Sequence, residues 1–420
     1  MPKLRSIERI SLQVRLTLSV TALLFPTPSD AEQQKIEVRD SAKVQIVTNS
    51  EPILDPGAMW IVRPQPIVQI GQISGDHLSA QFAYPLAAIR LPMGGWAVVD
   101  NDSYEIRVFS EDGSPLLNIG RKGSGPGEFA DDPVIAAAQS DTLVVFDQGT
   151  RRLSWWSIRD GTLLQETGVR TLAPRVIGGR GWQVRSDGLL LNVLGEPPRG
   201  GNSTGAISTN WRRPLLMSAA TNEAVEFDPV PCGQTINWQI GRGTYAIPNP
   251  FAHACSITFG ADPYAVVVNA SSAWEVRQFD ADGVLRRIVR ASIQRLRVTT
   301  EVIRSKRGEV IHLADAMHIP VATVENGFER IPIPDSLPAI EQIRVTPAGY
   351  LWVKPTSADS QAHVYDIIDP QGRWLGTVRL PADAGSLIYV DDEYVITVWR
   401  DEREVSFIRV YRIDKHAELK

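Results

Sequence analysis

The chain predicts an all-β fold, and three features of its 420 residues lead there. First, apolar alternation dominates in short runs rich in β-branched and aromatic residues: WAVVD (96–100), EIRVF (105–109), TLVVFD (142–147), AVVVNA (265–270) and YLWV (350–353). Turn residues bound each run, which is how strands read, and helical periodicity is nearly absent. Second, a strand–turn–strand segment recurs as IRVFSEDGSPLLNIG (106–120), LSWWSIRDGTLLQETG (153–168), VRQFDADGVLRRIV (276–289) and VYDIIDPQGRWLGTV (364–378). Third, a glycine ends each turn, at 113, 161, 283 and 372. Tight hairpins need φ > 0, which glycine adopts without steric cost.

Another strand pair lies upstream of each hairpin. In the first copy, LAAIRLPMGGWAVVDNDSYEIRVF turns at Gly94–Gly95 and again at Asp100–Ser103. The unit is therefore four antiparallel strands, A to D. The turn glycines are 48, 122 and 89 residues apart. The middle interval fits two units, with LLMSAATNEAVEF (215–227) as a degenerate hairpin; the last fits one unit and an insertion. A final unit (386–413) offers three strands, and AMWIV (58–62) or PIVQI (66–70) supplies the fourth. An open radial array would leave unpaired edges, so this N-terminal strand is expected to close the ring. The total is a six-bladed β-propeller of four-stranded antiparallel blades, whose repeat matches the roughly 40–50 residues of propeller units. Residues 292–337 interrupt it with patchy helical character (299–317) and the Pro-rich RIPIPDSLP (330–338). They read as an insertion within a single domain, being too short to bury a core of their own.

The first 31 residues read as a signal peptide. Lys3, Arg5, Arg9 and Arg15 precede the apolar run Leu16 to Phe25, and Ser29 and Ala31 sit at −3 and −1 of a cleavage point. Ten apolar residues fall short of the roughly 20 that span a membrane, so a secreted or periplasmic protein is expected. Cleavage after Ala31 leaves residues 32–420 and takes the net charge from −5 to −7, because four cations and two acids depart. An acidic chain argues against nucleic acid or anionic membrane as partner. No later segment approaches membrane-span length without a charge, and a monomer is expected. Cys232 and Cys255 either pair in an oxidising compartment or remain buried thiols; two cysteines make no zinc site unaided.

EIRVFSEDGSPLLNIGRKGSGPGEF (105–129) resembles the bacterial exported six-bladed β-propeller family, itself similar to NHL-repeat propellers. The shared hallmark is a strand pair, an Asp/Gly turn, IG, and a GxGPGEF/Y linker into the next blade. The likeness continues in TLVVFDQGTRRLSWWSIRDG and weakly in IEQIRVTPAGYLWVK, while residues 170–250 depart from it. The resemblance implies export and a ring-shaped binding scaffold, with no shared catalytic activity.

Several motifs fail on context. GRKGSGPGEF (120–129) lacks phosphate-loop order, since Lys122 precedes the Gly-Ser-Gly core, and Pro133 stands where a helix should begin. GNSTG (201–205) matches a nucleophile elbow on paper, but Ser203 sits in a polar loop without flanking strand and helix. The six histidines are scattered, and only His312 and His318 are near in sequence, at a spacing that suits no metal pair. Trp96, Trp274, Trp352 and Trp399 are expected to pack between blades; Trp155 and Trp156 face opposite ways, leaving one less buried.

In such a blade the A–B and C–D turns share one face of the disc. The B–C turn and the D–A linker share the other. That linker face gathers the candidate ligand-binding residues Asp100, Asp102, Arg121, Lys122, Glu128, Asp147, Arg151 and Arg400. The competing role for Asp100 and Asp147 is to cap turns through local hydrogen bonds. The expected function is an exported, non-catalytic scaffold binding a protein, peptide or glycan at that face, with no cofactor and no metal. The alternative is a divalent-cation-dependent hydrolase or lyase, lactonase-like, which needs several oxygen or imidazole ligands converging on the axis.

Overall fold

Strands that are β-branched on both faces must be covered on both faces. The strands of this chain meet that need by stacking sheets side by side. The computed structural model describes residues 35–71, 81–82, 84–100, 103–131, 133–137, 141–169, 182–200, 206–240, 243–316, 319–357 and 363–415. The signal-peptide segment 1–31 lies outside them.

The chain begins with β1 (Ile36–Ser41), β2 (Val44–Asn49), β3 (Ile61–Val62) and β4 (Val68–Ile70). The first sheet follows as β5 (Pro85–Arg90), β6 (Trp96–Asp100), β7 (Glu105–Phe109) and β8 (Pro115–Ile119). The second is β9 (Pro133–Ala137), β10 (Thr142–Asp147), β11 (Arg152–Ser157) and β12 (Leu163–Gly168). The third holds β13 (Gln183–Val184), β14 (Leu189–Gly200), β15 (Ile207–Ser218) and β16 (Ala224–Glu226), extended by β17 (Val230–Ile240) and β18 (Gly243–Pro248). The fourth is built on β19 (Ser256–Phe259), β20 (Val266–Asn269), β21 (Glu275–Phe279) and β22 (Leu285–Ala291). Helices α1 (Thr300–Ala316) and α2 (Val321–Phe328) come next. The fifth sheet is β23 (Ile340–Val345), β24 (Leu351–Pro355), β25 (Val364–Ile368) and β26 (Trp374–Arg379); the sixth is β27 (Ser386–Val390), β28 (Tyr394–Arg400) and β29 (Ser406–Asp414). Consecutive strands within each sheet pair antiparallel, in the A–B–C–D order of the repeat.

An apolar core fills each junction between neighbouring sheets. Val99 and Ile106 meet Leu143 and Val145 between the first and second, and Phe146 meets Leu190 and Met217 between the second and third. Leu216 and Phe227 meet Val266 and Val268 in the next junction, and Val276 meets Ile343 and Val353 in the one after. Trp352 and Tyr365 pack with Val395 and Tyr411, and Ile396 and Ile408 pack with Trp96 and Phe109, which returns the series to the first sheet. This architecture, nearly all-β with antiparallel four-stranded sheets, is that of a β-propeller. Trp96, Trp274 and Trp352 are buried; Trp156 is buried and Trp155 only half-buried.

Three features depart from the repeat. Both β3 and β4 pair with β29, where one partner was expected. The hairpin β1–β2, not anticipated from the sequence, adds to the fourth sheet, with β2 parallel to β22. Asn49 holds it there: its amide donates to Arg290 O and Gly372 O, and its carbonyl accepts from the Trp374 amide. Finally, β14 and β15 run twelve residues each and outgrow their blade. The C-terminal part of β15 pairs with β16, as the degenerate hairpin implied, while its N-terminal part pairs with β17. The resulting arm explains why residues 170–250 lose the repeat. Ile236, Ile247 and Phe251 beside the arm pack against Val310, Ala314, Val324 and Phe328 of the two helices. Segment 292–337 thus shares its core with the third sheet's extension. A disulfide joins Cys232 of β17 to Cys255, across 23 residues of chain.

Candidate functional site

The linker GRKGSGPGEF closes on itself. The Phe129 amide donates to Arg121 O and the Gly123 amide to Phe129 O. Phe129 is buried against Trp156, their ring centroids 6.0 Å apart, so it plugs the first inter-sheet core. Gly120 has φ +76°, and a Cβ there would strike the Phe129 ring. Glu128 then occupies the ground a bound anion would need. Its carboxylate accepts from the Gly125 amide at 2.8 Å and pairs with Arg121 at 2.8 Å. The Gly125 amide foremost, and then Arg121, hold the Glu128 carboxyl below the usual carboxylate range. Arg152, which the sequence reading passed over, braces the loop by donating to the carbonyls of Ser124, Gly125 and Glu128. The Gly125 amide is thus engaged by the loop's own acid and the Gly123 amide by the Phe129 carbonyl.

Asp100 and Asp147 end the second strands of the first two sheets and are both buried. Asp147 accepts from the amides of Ala130, Asp131, Gly149 and Thr150 at 3.1–3.2 Å and from the Thr150 hydroxyl. Those amides belong to the linker and to the B–C turn, so one carboxylate ties the two together. Asp100 accepts from the Tyr84 amide at 2.8 Å and pairs with Arg107 at 2.9 Å. Lys122 lies over the Tyr104 ring at 4.6 Å. Arg400 pairs with Glu404 at 3.4 Å and lies over Tyr84, 5.8 Å from its centroid. Arg151 adopts φ +55° in its turn, and Asp102 lies outside the described residues. The structure thus places these candidates in separate pairings, Arg121–Glu128, Asp100–Arg107 and Arg400–Glu404, and in turn caps.

A well-defined concavity lies elsewhere. A chamber of about 920 Å³ is lined by the first strand of every sheet: β5, β9, β13, β19, β23 and β27. None of the seven described linker-face candidates lines it. Its lining runs out onto the A–B turns, where Ser186, Asp262 and Pro347 are exposed, and leaves out Pro85, Leu86 and Pro133 at the linker ends. Among the described residues, the lining thus reaches the face opposite the one singled out from the sequence. Its wall mixes apolar side chains such as Ile257 and Ile388 with the polar Gln183, Ser256, Thr258, Gln342 and Arg344. Such volume and lining suit a small organic ligand.

The polar groups of the chamber come from side chains that repeat analysis treats as strand filler. Gln183 is committed to the wall: its amide donates to Ile257 O and its carbonyl accepts from the Thr258 hydroxyl and the Phe259 amide. Arg90 pairs with Glu393 at 2.9 Å, and Arg185 grips Asp187 with two nitrogens. Tyr389 reaches toward Asp391, and burial pushes its hydroxyl well above the ordinary tyrosine value. Arg344 of β23 donates one hydrogen bond, to Leu387 O at 2.8 Å, and burial lowers its guanidinium below the ordinary arginine value. Among the described residues, no three His, Cys, Asp or Glu side chains gather to hold a metal ion. His253, just before β19, bonds Pro231 O in the arm and is absent from the chamber lining; His77 and His318 lie outside the described residues. Among the described residues, no helix is long and apolar enough to cross a membrane.

No family model matches the chain, and no curated protein matches it. Solved structures do, at low identity. The chain is similar to a Bacteroides fragilis protein that carries an exported-protein name, 12% identical with a TM-score of 0.45, covering 88% of this chain and 99% of that one. It is similar also to a member of the DUF4221 family from Bacteroides vulgatus, at 11% identity and TM-score 0.42, covering 91% and 99% of the two chains. A third is virginiamycin B lyase from Staphylococcus aureus, at 9% identity and TM-score 0.37, covering 84% and 99%. Neither residues nor activities are carried over from them.

Proposed function

We propose that this chain is an exported, six-bladed β-propeller that binds a small ligand without transforming it, and that the central chamber receives the ligand. The observation that carries the reading is the chamber itself, lined by one strand from each of six sheets. Pairing of β4 along β29 supports closure of the ring by an N-terminal strand, because it covers the edge that the three-stranded last unit would expose. The Cys232–Cys255 bridge supports residence in an oxidising compartment. Residues 32–420 then form one domain, with 292–337 as an insertion packed on the third blade's arm.

A cation-dependent hydrolase or lyase is not favoured, since among the described residues the chamber lining holds Arg90, Arg185 and Arg344 against one carboxylate, Asp262. Binding of a protein, peptide or glycan at the linker face is the second reading, and the exposed Arg121 guanidinium supports it.

A ligand-observed NMR screen of the mature chain tests the chamber. Fragment hits should vanish in Ala136→Trp, which places an indole into the lining, and persist in Arg121→Glu. Hits lost only in Arg121→Glu would sink the chamber reading. Export has its own check: N-terminal sequencing of the protein recovered outside the cytoplasm should begin at Glu32, and an intact Met1 would count against it.

A further inference from the structure

We infer that the chamber's ligand is an apolar organic acid whose carboxylate sits on the Arg344 guanidinium. This rests on the chamber reading and names its ligand class. The three lining arginines differ in how their charge is met. Arg90 has Glu393 and Arg185 has Asp187. Arg344 has no carboxylate partner among the described residues; its hydrogen bond to Leu387 O uses one donor of five, and its Nε is buried with no acceptor. Buried polar groups in native proteins are nearly always satisfied, and a charged one left without an acceptor is costly. A ligand carboxylate in the chamber would give this charge a partner through the terminal nitrogens, while Nε stays sealed from the chamber.

The class of acceptor follows from guanidinium geometry. A planar fork matches two oxygens on one carbon, so a carboxylate is favoured over a single hydroxyl. The rest of the molecule is set by the wall. Ile257 and Ile388, both half-buried, offer methyl and methylene surface and no donors from their side chains. Asp262 stands at the exposed mouth, where it disfavours ligands carrying further negative charge. One carboxylate on an aromatic or aliphatic body meets these conditions; a polyanion or a bare sugar does not.

The test uses the mature chain and two matched pairs of probes: 4-phenylbutyrate with 4-phenylbutanol, and decanoate with decanol, titrated by calorimetry. Wild type should bind each acid at least about tenfold tighter than its alcohol, the scale of one charge-assisted hydrogen-bond pair. Arg344→Met should lose that preference while still binding the alcohols, and Arg344→Lys should keep part of it. Alcohol binding also reports that the Arg344→Met chamber is intact, which separates an anchoring role from a structural one. Equal binding of acid and alcohol by wild type would overturn the inference and leave the chamber reading standing. Binding of none of the four, or binding that survives Ala136→Trp, would overturn the chamber reading itself.

Discussion

The carboxylate of Asp147 accepts four backbone amides and a hydroxyl in a site nearly closed to water. Asp147→Ala strands those donors together, at about 1–3 kcal/mol for each buried group left unsatisfied. Urea denaturation should show a loss of about 3 kcal/mol or more, and a loss under 1 kcal/mol would mean that water replaces the carboxylate. Asp366 is the opposite case, a buried carboxyl pushed up from 3.8 to about 6 by burial, against hydrogen bonds from Trp274 and Thr377. The folded protein keeps it protonated to about pH 6, while the unfolded chain releases the proton near pH 4. Its favourable contribution is therefore complete below about pH 4 and is lost as pH rises through about 6. Asp366→Asn keeps an acceptor for Trp274, turns an amide donor toward the Thr377 hydroxyl oxygen in place of the bond that Asp366 accepts, and cannot ionise. It should flatten the fall in stability between pH 4 and 6.5 by up to about 3 kcal/mol, at roughly 1.4 kcal/mol per pKa unit; an unchanged pH profile would refute this.

Among the elements, the arm and the helices are the part that the repeat does not supply. The arm hairpin emerges from the third sheet, and the residues beside it share one apolar cluster with α1 and α2. The Cys232–Cys255 bridge staples that unit to the segment leading into β19. Closing a loop of 23 residues restricts the unfolded chain by about 3 kcal/mol in the chain-entropy account. Reduction, or Cys232→Ser with Cys255→Ser, should lower the unfolding free energy of the arm by that order. Hydrogen exchange should place the loosened amides in β17, β18 and the helices rather than in β5–β12; uniform loosening would argue against a separate arm unit.

Across the whole molecule, stability depends on the last sheet meeting the first. Val68 and Ile70 of β4 are buried in the core that also holds Trp96 and Ile408. Gly113, with φ +87° in the first sheet's C–D turn, brings that turn against the same two side chains. Phe82 bridges to Ser406 on the linker side of the same junction. A chain beginning at residue 72 loses β1–β4 and bares the edge of β29. Such a chain should aggregate or unfold well below the mature protein in a thermal scan; equal melting temperatures would show that β4 does not close anything.

Strand alternation and the glycine turns are local properties of the backbone, and they were legible at once. The degenerate hairpin at 215–227 and the pairing of an N-terminal strand with the last unit followed from counting edges. Other pairings were beyond local reading, because they join distant segments: β2 with β22 lies 242 residues apart at the Gln45–Arg287 position. The candidate site divides the same way. Asp100, Asp147 and Glu128 were visible as polar residues in turns, but their amide partners became identifiable only once the loops were folded. Arg344 had no signal, since a lone arginine in IEQIRV reads as a solvated strand position. It lines the chamber because six strands, drawn from residues 85 to 390, border one cavity. Periodicity and turn chemistry act over a few residues and so were written in the order of the chain. Convergence, burial and the pairing of charges act between sheets, and they exist only once the sheets have packed.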